Sequence, residues 1–289
     1  MRNFDVSTIT EAVLESVSKT PEKRIRQISE AVVRHLHALV KEVEPTHAEW
    51  EQAIDFLTRA GHMSDDKRQE FILLSDTLGI SMLVDAINHR NASGATETTV
   101  LGPFYVQHPQ EFALGSDVSG PVAGEPLFVS GSVAREDGTC LADAIVDIWH
   151  ADGDGYYDVQ QAEKLDGLAM RARLRTDVDG KFHFWSIRPS AYPVPHDGPV
   201  GQMLAAQNRH PYRPAHVHFM IAAPGCETLV THIFAAGDEY LESDVVFGVK
   251  DSLIRDFVSC PAGIAPDGRH MDKPYTTLEH NFRLARARS

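Results

Sequence analysis

The spacing of apolar residues along the chain changes once. Up to about residue 95 they recur every three or four positions, which is the period of an amphipathic helix. Ile25, Ile28, Val32, Leu36 and Leu39 form one such stripe, and Trp50, Ile54 and Leu57 another. Thr8 with Glu11, and Thr46 with Glu49, have capping-box spacing ahead of these runs. Thr20 is placed to cap a helix with Pro21 at its first position. Gly61 suits a helix end. Ser64 opens a further run, DDKRQEFILLSDTLGISMLVDAINH, with Gly79 as its weak point. Its charge cluster Asp65-Asp66-Lys67-Arg68 reads as a solvated first turn.

Beyond a turn-like Asn91–Gly94 the period becomes that of strands. LFVSGSVA (127–134), AIVDIWHA (144–151), KFHFWSI (181–187), AHVHFMIA (215–222) and LVTHIFA (229–235) alternate or run apolar over strand lengths. Asp177-Val178-Asp179-Gly180 has the composition of a hairpin turn between Arg173–Thr176 and Lys181-Phe182. Strands and helices do not alternate, so a doubly wound sheet is not expected. The pattern predicts an α+β chain: a helical region over residues 1–95, then an all-β sandwich over 96–289.

Composition narrows the class. The 289 residues carry 27 Lys and Arg against 41 Asp and Glu, a net charge of −14. A nucleic-acid binder needs clustered basic residues, and Arg283, Arg286 and Arg288 are too few. No apolar run reaches membrane-spanning length, and the start lacks the apolar core of a signal peptide. The three Cys, at 140, 226 and 260, show no CxxC spacing. A reduced, cytoplasmic protein is the expectation. Fifteen His is an unusual number and hints at a metal.

The chemistry concentrates in Arg213-Pro214-Ala215-His216-Val217-His218-Phe219. On a strand His216 and His218 share a face, roughly 7 Å apart along the chain, while Val217 and Phe219 face the other way. Such a pair alone is more often hydrogen-bonded than metal-bound. Tyr156, Tyr157 and Tyr192 follow strand ends, where sites tend to be built. Two Tyr with two His suit ferric iron, since phenolate is a hard anionic donor. Two phenolates and a hydroxide also balance its charge, which matters in a dry pocket. Asp152-Gly153-Asp154-Gly155 looks like part of a calcium loop but lacks the remaining ligand spacing.

WHADGDGYYDV, LRTDVDGKFHFWSIRPSAYPVPHDGPVG, RPAHVHFMIAAPG, AGDEYL and TVLGPFYV resemble the intradiol ring-cleavage dioxygenases, in order and over most of the chain. SDTLGISMLVDAINH and RPSAYPVPHDGPVG look most like the members that act on hydroxyquinol. The resemblance implies one Fe(III) per subunit, held by Tyr157, Tyr192, His216 and His218. Tyr156 would not bind it. Tyr192 matches the ligand that leaves the iron when substrate arrives, and Arg213 the arginine beside the substrate. His232 departs from the glutamine common at its position in catechol-type members. By the same resemblance Leu73, Asp76, Val100, Leu101, Gly102, Pro103 and Phe247 line the substrate pocket. Asp76, three residues from Leu73, is placed either to accept a hydrogen bond from a third ring hydroxyl or to be a solvated helix residue. The implied reaction cleaves hydroxyquinol with O2 to 3-hydroxy-cis,cis-muconate or its tautomer maleylacetate, with catechol or a chlorocatechol as the alternative substrate. The family also implies a homodimer through the helical region, with a lipid in some members. Two other classes remain open to the residues alone: a zinc hydrolase, and a metal-free β-sandwich binding module.

Overall fold

The computed structural model describes residues 2–65, 68–89, 94–165 and 167–287. Asp66, Lys67, Asn91 to Ser93 and Arg288, which enter the expectations above, lie outside the described residues. The chain forms two compact units, residues 1–59 and 60–289.

The helices are α1 (Ile9–Val17), α2 (Lys23–Val43), α3 (His47–Met63), α4 (Glu70–Thr77), α5 (Ile80–His89) and α6 (Pro199–Ala206). Thr46 and Glu49 make the capping box that opens α3: the Thr46 N–H donates to the Glu49 carboxylate and the Glu49 N–H to the Thr46 hydroxyl. The other predicted caps shift. Thr8 precedes α1 but its side chain caps nothing; the Asp5 carboxylate accepts from the N–H groups of Ser7 and Thr8 instead. α2 starts at Lys23, where Glu22 accepts from the N–H groups of Arg24 and Ile25, rather than after Thr20. A flexible carboxylate two or three residues upstream does the work of the expected hydroxyl. Gly61 lies inside α3 and ends nothing. Gly79, at φ +73°, separates α4 from α5.

Thirteen strands are described: β1 (Pro126–Arg135), β2 (Ile145–His150), β3 (Arg171–Arg175), β4 (Lys181–Ile187), β5 (Tyr192–Pro193), β6 (Tyr212–Arg213), β7 (His216–Ala222), β8 (Leu229–Ala235), β9 (Ile254–Arg255), β10 (Val258–Cys260), β11 (Gly263–Ile264), β12 (His270–Met271) and β13 (Tyr275–Leu284). One sheet runs β10-β13-β1-β4 and the other β3-β2-β7-β8-β9. Leu127, Val129, Phe182, Phe184 and Phe282 of the first meet Val146, Ile148, Leu174, Val217 and Phe219 of the second in one core. This is a β-sandwich, as the strand pattern predicts.

The turn at Asp177–Gly180 does not make a hairpin. β3 pairs with β2 and β4 pairs with β1, so the chain crosses between the sheets there. The longest strand not read in the sequence is β13, and α6 and the short strands β5, β6 and β9–β12 also went unread. β13 alternates Leu278, His280, Phe282 and Leu284 inward, and the buried His280 breaks the apolar signal. α6 is eight residues, too short for a clear period.

Candidate metal centre and substrate cavity

β7 lies between β2 and β8, with His218 opposite Trp149 on one side and His232 on the other. Strand alternation sends Val217 and Phe219 into the core and His216 and His218 to the opposite face. Trp149 stacks on the His218 ring at 4.5 Å between centroids. β5 and β6 pair Tyr192 directly with Arg213. Tyr157 comes from the loop after β2, where Gln160 accepts from its N–H and the neighbouring Asp158 is locked in a buried ion pair with Arg171. The Asp152–Gly155 segment is a turn that brings the tyrosines together. The Asp152 carboxylate accepts from the N–H groups of Asp154 and Tyr156, and Gly155, at φ +87°, lies so close to Tyr192 that a Cβ would sit 2.7 Å from the Tyr192 Cβ.

Four donor atoms converge. Tyr157 Oη stands 2.9 Å from His218 Nε2, 3.4 Å from His216 Nε2 and 3.3 Å from Tyr192 Oη, and the two Nε2 atoms are 3.1 Å apart. Ligand atoms held at about 2 Å from a common cation have spacings of this size. His216 Nδ1 is 2.7 Å from the Pro214 carbonyl, an acceptor only, so the proton sits on Nδ1 and the Nε2 lone pair faces the cluster. Burial first, and Arg213 second, hold His216 well below its ordinary pKa; burial and then His232 do the same for His218. Burial, reinforced by Tyr192, pushes the Tyr157 phenol well above its ordinary value. The donor atoms of these buried side chains turn toward one another, and a cation is the partner whose chemistry such a set fits. A bound cation would also draw off the phenol proton.

His216, His218 and His232 bring one ring nitrogen each within 4.8 Å of one another, a group able to hold a metal ion. His232 differs from the other two. Arg213 Nη2 stands 3.4 Å from His232 Nδ1, and a guanidinium only donates, so Nδ1 accepts and the neutral ring keeps its proton on Nε2. The two tyrosines therefore complete the donor set better than His232 does.

Arg213 is buried, and its fork is shared out. Nε lies 3.1 Å from Asp244 Oδ1, Nη2 lies 3.3 Å from Asp244 Oδ2, and Nη1 lies 3.3 Å from His216 Nε2. Burial alone would lower its pKa, but Asp244 and the tyrosine oxygens more than reverse this, so it stays a cation.

A cavity of about 490 Å³ opens over this cluster, with Tyr192 and Arg213 among its lining. Leu73, Asp76, Val100, Gly102 and Pro103 are in its wall. Gly102, at φ +76°, lets the backbone pass the ring of His218, where a Cβ would stand 3.2 Å from Cε1. Asp76 is 6% exposed, so it is a wall residue and not a solvated one. Burial raises its pKa, partly countered by Ser81 and Arg213. Leu101 and Phe247 are not brought into this wall. Leu101 is exposed, and Phe247 lies beneath the Arg209 guanidinium, beside a different cavity. Adjacency in sequence to wall residues did not carry either side chain inward.

The cavity also contains residues that the sequence did not mark as its wall. Phe104 stacks on Tyr157 at 4.4 Å, and Ile72, Val194 and Val246 add apolar wall. Tyr156 lines the cavity outside the donor cluster. Arg68 is no solvated helix turn: it lines the cavity and pairs with Glu70 and Asp197. Nothing in the local pattern marks these, because they meet only in the folded chain.

The catechol dioxygenase N-terminus family matches residues 22–96, and the dioxygenase family matches residues 100–284. The chain is 50% identical to a hydroxyquinol 1,2-dioxygenase of Nocardioides simplex, over 96% of this chain and 95% of that protein. It is 53% identical to a 6-chlorohydroxyquinol 1,2-dioxygenase of Cupriavidus pinatubonensis, over 89% and 93%. The crystal structure of a hydroxyquinol 1,2-dioxygenase from Pseudomonas putida DLL-E4 superposes with a TM-score of 0.91 at 44% identity, covering 98% of this chain and 99% of that one. This chain belongs to the intradiol ring-cleavage dioxygenases. It is an enzyme of that class, and no helix among the described residues is long and apolar enough to cross a membrane.

Proposed function

We propose that the protein cleaves the ring of hydroxyquinol between its adjacent hydroxylated carbons, using O2 and one ferric ion per subunit. The observation that carries this reading is the four-donor cluster of Tyr157, Tyr192, His216 and His218, which Tyr192 joins to a cavity whose wall holds a buried Asp76. The similarity to hydroxyquinol-cleaving relatives supports the choice of substrate.

Ferric iron held there would supply a Lewis acid that opens the ring of a bound diol to attack by oxygen. The remaining work belongs to the chain. The Tyr192 oxygen accepts a proton from a substrate hydroxyl, so a ligand serves as general base. Arg213, fixed by Asp244, presents Nη1 beside the donor cluster and stabilises negative charge as it develops on the ring. Asp76 accepts a hydrogen bond from the third hydroxyl; a ring lacking that hydroxyl leaves the buried carboxylate short of that partner, which disfavours catechol. Phe104, Leu73, Ile72 and Val246 hold the ring plane and exclude water.

The division we propose gives residues 96–289 the metal donors and Arg213, and residues 1–95 the pairing of two copies into a homodimer, with room for a lipid chain along the apolar helices, while Ile72, Leu73 and Asp76 of α4 add to the substrate wall. The half-exposed stripe of α2 supports this. A cytoplasmic location fits the reduced cysteines.

The test is oxygen uptake by iron-loaded protein over hydroxyquinol, catechol and chlorinated catechols, with the visible spectrum recorded. A red-brown protein that prefers hydroxyquinol is expected. Iron-loaded protein without a charge-transfer band, or with catechol preferred, would overturn the ligand set or the substrate respectively.

A further inference from the structure

Among the described residues lining the cavity, the only arginines or lysines are Arg213 and Arg68. Arg213 is committed to Asp244 and His216. Arg68 is held differently. Its Nε and Nη2 lie 3.1 and 3.0 Å from Glu70 Oε2. Glu70 is fully buried, and its other oxygen accepts from the Val200 N–H at 3.0 Å, so this half of the guanidinium is anchored. Nη1 turns the other way, 2.8 Å from Asp197, whose side chain is 73% exposed. One partner of Arg68 is fixed and the other stands in solvent at the cavity rim. An exposed ion pair of that kind contributes little and exchanges readily.

The reaction changes the charge of what the cavity holds. An uncharged aromatic triol enters with O2. The bond between two hydroxylated carbons breaks, both oxygen atoms end in the product, and two carboxyl groups form that lose their protons to water at neutral pH. Glu70 and Asp76 line the wall that this dianion must pass. We propose that Arg68 is an exit subsite for the dicarboxylate product, where a product carboxylate replaces Asp197 on Nη1. The planar fork of Arg68 suits a carboxylate, and its anchor on Glu70 keeps it aimed at the rim. The subsite rests on the ring-cleaving reading for the identity of its ligand.

The experiment uses cis,cis-muconate as the probe. Its inhibition of hydroxyquinol-dependent oxygen uptake is measured in the iron-loaded enzyme, Arg68→Gln, Arg68→Lys and Asp197→Asn. Arg68→Gln is expected to weaken muconate inhibition about tenfold relative to any change in KM for the uncharged substrate, the effect of ~1.4 kcal/mol. Asp197→Asn removes the competitor and is expected to tighten inhibition about threefold, and Arg68→Lys to fall between wild type and Arg68→Gln. Equal ratios of Ki to KM in wild type and Asp197→Asn overturn the proposal, even where Arg68→Gln fails to fold because Glu70 has lost its partner. If wild type consumes no oxygen with any ring, the functional reading fails by itself. Calorimetric titration of muconate then decides the subsite: binding that weakens in Arg68→Lys and tightens in Asp197→Asn sustains it, and no difference removes it.

Discussion

The two compact units treat polar and apolar groups in opposite ways. In the helical unit α1 and α2 have no buried residue, and the apolar stripe of α2 is about half exposed. Its ion pairs, Arg34–Glu30 and Arg59–Asp55, are surface pairs four residues apart. The β unit has surface pairs too, such as Arg175 with Glu111, but it also pairs buried carboxylates with arginines across elements: Asp158 with Arg171, Asp147 with Arg173, Asp244 with Arg213. Surface pairs contribute little, whereas breaking a buried pair leaves an uncompensated charge. The β unit therefore uses electrostatics to set geometry: Asp158 follows Tyr157 in the chain, Asp147 shares β2 with Trp149, and Asp244 aims Arg213. The helical unit offers apolar area that asks for a cover.

Five experiments can break or sharpen this contrast. The largest effect belongs to the donor cluster. His216→Ala or Tyr157→Phe is expected to lower iron occupancy and activity more than about 100-fold, since even outer partners of ligands change metal affinity 10- to 100-fold. Metal analysis and oxygen uptake read this out, and a mutant with full iron and activity shows the ligand set to be wrong. Next comes the ion pair behind the site. Asp244→Ala strands a buried guanidinium and is expected to cost about 3–5 kcal/mol in denaturant unfolding. A loss under about 1 kcal/mol would place this pair with the surface pairs of the helical unit.

Asp76 tests whether the cavity wall discriminates. Asp76→Ala is expected to lower the preference for hydroxyquinol over catechol, as a ratio of kcat/KM, about tenfold. An unchanged ratio removes Asp76 from substrate choice. The same carboxyl carries a pH signature. Burial raises its pKa above the ordinary 3.8, so the folded protein keeps this proton to higher pH than the unfolded chain does. Stability is lost as pH rises between those values, and Asp76→Asn should regain about 1 kcal/mol or less above that window and nothing below it. Thermal melts on both sides of the window check the sign.

The smallest effect on chemistry is expected from the helical stripe. Val32→Glu with Leu36→Lys should convert a dimer to monomer in sedimentation. Subunit stability should change by only about 0.5 kcal/mol, because both side chains are already half exposed. A wild-type protein that sediments as a monomer at micromolar concentration would end the pairing proposal.

Much of the fold was legible locally. β4 and β8 begin and end where their runs do, and Gly79 breaks the helix where its conformational freedom suggests. The hairpin expected at Asp177–Gly180 was not, because a turn sequence specifies a reversal and not the sheet that receives the next strand. In the site, His216 and His218 could be placed on one face from their spacing alone. The meeting of Tyr157, Tyr192 and Arg213 with them depends on the β5–β6 ladder and the Gly155 contact, which no local pattern encodes. Leu101 and Phe247 show the converse, as residues that the family resemblance placed in the wall and that tertiary packing leaves outside it.

The sequence by itself determined the change from helical to strand period and offered the candidate donors, two His on one strand face and Tyr at strand ends, because periodicity and side-chain chemistry are local properties. Only the tertiary structure decided which donors converge, that Asp76 is buried, and that Arg68 stands at the rim between a buried and an exposed carboxylate. Those facts depend on residues from tens to more than a hundred positions apart, brought together by burial of the sandwich core and by strand pairing.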